Sequence, residues 1–303
     1  MKLERFPLLD LIHPNFLALI SAMLLSVAQS FYRQAVRFLR PEEVTIAANI
    51  VVGSLAFAVY LLEGRYFELS LKGVLFFTLS GFFAQFVARH FNNISYFSIG
   101  LARTQTLYQT APIWSSMVAI IFIGEKLNSS IAIGTILVVL GGMILVYEAR
   151  SKNKVAKLFF YFLPVISAMF FSFSPTLRKV AFDSIPCASL GLAIASCAAV
   201  VLQCFISLFL SKKKENFISF SWNKKAITTM LFAGLFNVMT GLTFWTAIKN
   251  GDIVEVVPIR RLSLVFVILV SWFFFKKIER LSFQVILGGI ISIVGALFVS
   301  MGS

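Results

Sequence analysis

The chain has 303 residues, of which 59% are hydrophobic and 13% charged, with a mean hydropathy of +0.89. A soluble protein of this length has no core large enough to hide that much apolar surface, so the composition requires a membrane protein. The formal net charge of +14 does not indicate nucleic acid, because the cations gather in short loops such as Arg150 to Lys157 and Lys212 to Lys225, as basic residues do beside membrane spans.

Uncharged runs predict helices near 15–38, 43–62, 71–91, 97–123, 128–148, 156–180, 186–210, 224–248, 252–275 and 281–302. Most reach the roughly 18–20 residues that cross about 30 Å of hydrocarbon. The uncharged parts of the third and ninth are shorter and continue into Arg89 and into Arg260 and Arg261, which puts arginine inside the membrane or at its interface. Residues 1–10 are of mixed charge and the first apolar run is long, so no cleavable leader is expected.

Polar residues recur at helical spacing in several of these segments. Ser26, Gln29, Ser30, Arg33 and Arg37 share one face of the first predicted helix. Gln85, Arg89, Asn92, Asn93 and Tyr96 form a stripe in the third. Arg103 is an intramembrane cation at the start of the fourth, where Gln105, Tyr108, Gln109, Pro112 and Ser116 form another stripe. Polar groups against lipid cost several kcal/mol each, so these stripes face protein or water. Two adjacent stripes of this length favour a cavity wall over helix–helix hydrogen bonding, and Pro112 predicts a bend.

Ser172, Pro175, Thr176 and Lys179 mark the sixth predicted helix. In the eighth, Asn237, Thr240, Gly241 and Phe244 share a face beside Trp245, where an aromatic ring packs the core or stacks on a flat ligand. In the ninth, Glu255, Arg260 and Arg261 are ionisable groups whose insertion costs about 2.5–3.5 kcal/mol each, so each needs a cavity or a partner. Arg260 and Arg261 lie about 100° apart around a helix. One is expected to meet solute and the other to pair with Glu255 or Asp252. Cys187, Cys197 and Cys204 have no metal spacing, and His13 and His90 are isolated. No cofactor, metal or catalytic cluster is expected, and hence no enzyme.

The chain is internally repeated. Glu125, Leu127, Gly134 and Gly141 return 154 residues later as Glu279, Leu281, Gly288 and Gly295. Ile20, Ser21, Ala22, Met23 and Ser26 return 146 residues later as Ile166, Ser167, Ala168, Met169 and Ser172. The expected units are 1–148 and 155–303, joined by a basic linker at 149–154. Five spans per half make the halves opposite in orientation, and such a duplication points to a transporter with its site between them. The glycines read as close helix packing, and Glu125 and Glu279 as groups that cap a helix or pair with a cation.

Ala111 and Pro112 followed by the first glycine run, and Val257, Pro258, Arg260, Arg261 and Ser263 followed by Lys276, Lys277 and the second, resemble the drug/metabolite transporter superfamily of EamA type. The resemblance covers essentially the whole chain. It implies an all-α integral membrane fold of ten transmembrane helices, two inverted five-helix repeats around a central cavity lined by helices 3, 4, 8 and 9. It also implies transport of a small organic metabolite without a cofactor. Solute contacts are then expected from Gln29, Gln85, Arg89, Arg103, Gln105, Tyr108, Gln109, Asn237, Trp245, Glu255, Arg260 and Arg261.

The chain departs from that pattern in three places. It has Lys276 and Lys277 where many members carry an acid. No acid lies between Asp10 and Glu42, so the embedded-glutamate mechanism of four-helix relatives does not carry over. The loop cations put both termini outside, whereas the resemblance puts them in the cytoplasm. Buried cations outnumber buried acids, which favours an anionic or zwitterionic solute bearing a carboxylate or phosphate, an amino acid included. The expected partners are that solute and the lipid bilayer of the cell inner membrane, with no nucleic acid, and the protein a monomer or weak homodimer. A scaffold or channel without a transport cycle, or a multidrug exporter of the same fold, is the alternative.

Overall fold

The computed structural model describes residues 8–35, 39, 41–64, 67–99, 104, 107–147, 159–210, 224–274 and 283–302. Apolar periodicity without strand-forming alternation yields helix throughout, and the described residues contain no strand. In the first half lie α1 (Pro14–Ala35), α2 (Pro41–Glu63), α3 (Leu71–Gly81), α4 (Arg89–Ile99), α5 (Ala111–Ile123) and α6 (Ser129–Tyr147). In the second lie α7 (Phe159–Phe182), α8 (Ala188–Leu210), α9 (Lys224–Asn250), α10 (Ile253–Arg260), α11 (Ser263–Phe274) and α12 (Phe283–Met301). Six segments are long and apolar enough to cross a membrane by themselves: Pro14–Tyr32, Glu43–Glu63, Leu71–Asn92, Phe159–Phe182, Ala188–Phe205 and Lys224–Asn250. Ala111–Ile123, Ser129–Ile144 and Ile286–Met301 are shorter apolar helices.

The packing repeats the duplication. α1 packs on α9 as α3 packs on α7; α1 meets α10 and α11 as α7 meets α5; α2 pairs with α8 and α6 with α12. Large apolar side chains such as Ile121, Phe122, Ile290 and Leu297 point outward. That exposure is ordinary only where the surrounding solvent is lipid.

Three boundaries differ from the sequence expectation. The predicted break between the third and fourth spans is helical: α3 runs through a π-helical stretch, Phe82–Ala88, into α4 and on to Ile99. The predicted helix 97–123 is interrupted instead at Gln109–Thr110, and α5 starts afresh at Ala111 with Pro112 in its first turn. The proline ring excludes the carbonyl of Tyr108 from an unbroken helix, so the expected bend is a full interruption. The predicted helix 252–275 is likewise broken at Arg261–Leu262, where the N–H groups of Arg261 and Leu262 close tight turns onto Pro258 and Ile259. Both interruptions fall at corresponding places in the repeat, the position at which discontinuous helices of transporters form their binding sites.

α5 ends at Gly124, whose φ of 78° is left-handed and whose N–H returns to the carbonyls of Ala119 and Ile120. Glycine takes this conformation without steric cost, and it turns Glu125 back toward the bundle. The repeated glycines allow backbone contact between α6 and α12. A Cβ on Gly134 would lie 2.5 Å from the Gly295 carbonyl oxygen, and one on Gly295 would lie 2.7 Å from that of Gly134, whereas one on Gly289 meets nothing nearer than 3.8 Å. Gly134→Ala and Gly295→Ala are therefore expected to lower stability by about 1–3 kcal/mol, since neither backbone can yield. Gly289→Ala should be neutral or slightly stabilising. Thermal unfolding of the three variants in one detergent checks the order.

Candidate solute-binding site

The interior of the bundle holds arginines that aromatic rings support in place of acids. Arg178, on α7, is 4% exposed, and its Nε donates to Ser80 Oγ of α3 at 2.8 Å. Ser80 in turn lies 2.8 Å from Ser174 Oγ, one turn earlier on α7. The Arg178 guanidinium sits 4.3 Å from the ring centroid of Trp245, which packs against Phe77 and Phe182. Arg260, the last residue of α10, lies 3.7 Å over Phe244. Arg261, in the helix break, lies 4.8 Å over Tyr108 and 5.5 Å from Phe171. So the break in the second repeat faces the residue that precedes the break in the first.

Arg178 and Arg260 lie close enough to repel each other, as do Arg260 and Arg261. Among the described residues, no ion pair joins any of the three to a carboxylate. Their donors are underused. Arg178 spends only Nε on Ser80, and Arg260 Nε is buried with no hydrogen-bond partner. A guanidinium stacked by its face keeps its N–H edge free, and that edge matches a carboxylate or phosphate.

Toward the start of α1 lies a ring of ion pairs and hydrogen bonds. Glu125 accepts from Lys179 Nζ at 2.7 Å and, through its two oxygens, from the backbone N–H groups of Ile253 and Val254 at 3.0 Å each. It both caps a helix and pairs with a cation, the two roles read for it in the sequence. Lys179 also reaches Asp252 at 2.9 Å and the Gly251 carbonyl at 3.0 Å. Lys249 pairs with Asp10 at 2.8 Å, and Asn250 adds a contact to the same carboxylate. Asn15 donates to Glu255 at 3.0 Å. These contacts tie α1, α5, α7, α9 and α10 together at one end.

The other residues singled out in the sequence fall variously. Arg103 and Gln105 lie outside the described residues, as does Glu279. Tyr108, Arg260 and Arg261 come together as expected. Arg89 lies within charge range of Tyr108 and Tyr32 and approaches Asn49 Oδ1 at 3.5 Å. Gln109 does not join Tyr108; it is buried against Gly142 of α6, with Nε2 unpartnered. Gln85 sits in the π-helical stretch with Oε1 buried and unpartnered. Gln29 is partly buried on α1, and Asn237 donates to the Tyr32 hydroxyl at 2.9 Å.

The expected pairing of Arg260 or Arg261 with Glu255 or Asp252 does not form. Asp252 precedes α10 and Glu255 lies in its first turn, where they meet Lys179 and Asn15, while the arginines lie at its far end, five or more residues on. Trp245 is buried in the core under Arg178, which makes it a support for the cation. Cys187 falls within the predicted helix 186–210 but just before the observed α8, and all three cysteines are free. No group of three His, Cys, Asp or Glu among the described residues could hold a metal.

Sequence reasoning missed Arg178, singling out its neighbour Lys179 instead. The available signal was its neighbour: Arg178 and Lys179 are adjacent on one helix, about 100° apart, so they cannot point to the same place.

The model of the EamA-like transporter family matches residues 14–147 and again residues 158–301. The chain belongs to the EamA-like transporter family, as two repeats of it. A crystal structure of a protein 14% identical in sequence aligns with a TM-score of 0.77, covering 96% of this chain and 99% of that one, a likeness of fold alone. A search of curated proteins gave no match.

Removing the Glu125 carboxylate uncaps two N–H groups and takes one partner from Lys179, which retains Asp252. Glu125→Ala is expected to cost about 1–3 kcal/mol, and Glu125→Gln less, since one amide oxygen still accepts. Unfolding in detergent measures both; equal stability of Glu125→Ala and the unchanged protein would refute the cap.

Proposed function

We propose that this EamA-family membrane transporter is a secondary carrier of a small organic solute bearing a carboxylate or phosphate. Its ten spans form two inverted five-helix repeats that alternate access to a site between them, in the cell inner membrane. The observation that carries the anionic reading is the set of three interior arginines, Arg178, Arg260 and Arg261, with unused donors and no acid beside them. The interrupted helices add to it. The starts of α5 and α11 lie at the breaks, and helix N-termini favour negative charge. A pump for lipophilic cations needs an acid in the pocket, and a scaffold gains nothing from three mutually repelling cations.

Purified protein in liposomes is expected to take up labelled small carboxylates or phosphate esters in a saturable, competable manner. Arg260→Gln or Arg261→Gln should raise the half-saturating concentration about ten- to a hundredfold, the loss of one charge-assisted contact of roughly 1.5–3 kcal/mol. Uptake of lipophilic cations, with anions neither carried nor competing, would overturn the reading.

A further inference from the structure

The charges around the site define its occupant more closely than "anion", given that reading. We propose that the arginine site takes a compact solute with two negative charges, a dicarboxylate or a phosphate monoester, in preference to a monocarboxylate or an amino acid. Three guanidinium groups stand in the membrane interior without acidic partners among the described residues. A single carboxylate would leave two of those charges uncompensated in a medium of low dielectric, where isolated charge is costly. A dianion leaves one.

The geometry offers two separate places for oxyanion groups. Arg178 is fixed by Ser80 and Trp245, which leaves its two terminal nitrogens without a hydrogen bond, and it lies within repulsive range of Arg260, whose Nε is unpartnered. Arg261 is held by different rings, Tyr108 and Phe171, at the helix break. Under this proposal one oxyanion group meets Arg178 and Arg260 and the other meets Arg261.

An amino acid would also need an acid for its ammonium, and the acids of this region are engaged. Glu125 serves Lys179 and two backbone N–H groups, Asp252 serves Lys179, Asp10 serves Lys249, and Glu255 takes Asn15. Glu63 accepts from Ser189.

The test is a thermal-shift titration of the purified full chain in detergent at pH 7.5, with ionic strength held constant by sodium chloride. The probes are succinate, malonate, inorganic phosphate and glycerol 3-phosphate against acetate and alanine. At least one dianion is expected to bind about tenfold or more tighter than either acetate or alanine, and the dicarboxylate and phosphate arms tell the two sources apart. Arg261→Gln, at a partly exposed break and so tolerant of change, should bring that dianion down to the level of acetate; Arg178→Lys, which keeps the charge of a buried position, should weaken it less. Acetate or alanine binding as tightly as every dianion, or an Arg261→Gln protein with undiminished preference, overturns the dianion assignment and leaves the anion site standing. Stabilisation by none of the six overturns both.

Discussion

The carboxylate of Glu125 holds together the helices that carry the arginine cluster. It belongs to the first repeat, yet it closes the first turn of α10 in the second and fixes Lys179 of α7. Three helix positions are thereby set by one side chain that is 4% exposed. A carboxylate at a helix N-terminus is doubly favoured, by charge-assisted hydrogen bonds and by the helix dipole. Its placement follows from Gly124, whose left-handed turn glycine makes without steric cost.

The arginines solve a different problem. A cation inside a membrane normally brings its counter-ion, and a buried ion pair would fill the site and neutralise it. Stacking on Trp245, Phe244, Tyr108 and Phe171 stabilises each guanidinium by its face without occupying its donor edge. The aromatic residues thus keep the charge inside while leaving it available. The Ser80–Ser174 pair adds direction, holding Arg178 through the one nitrogen that lies on its stem.

Most of the fold was legible because the duplication and the apolar runs are set by local pattern. The glycine runs announced close helix packing but not its partners; the structure supplies them, with Gly134 of α6 against Gly295 of α12. The helix interruptions were half legible. Pro112 announced a disturbance but not its extent, and the break at Arg261 carries no proline within it. The interior placement of Tyr108, Arg260 and Arg261 was legible, since their cost in lipid forces them inward. It was illegible at Arg178, because a cation beside a loop resembles a surface residue until the neighbouring helix supplies Ser80 and Trp245. Gln109 failed for the opposite reason: helical spacing gave its face, but the break at 109–110 shifted it toward α6.

The ion-pair ring and the arginine cluster are mechanically joined. α10 has eight residues, about 12 Å of helix. Its first turn is gripped by Glu125 and its last residue is Arg260, so a tilt that releases the grip also displaces the cation. α7 repeats the link within a single step of chain, Lys179 in the ring and Arg178 in the cluster. An anion drawing Arg178 and Arg260 together therefore acts on the same two helices that the ring holds. On the proposed function, a solute that meets Arg178 and Arg260 acts on the two helices that the ring holds, which is the coupling an alternating carrier requires.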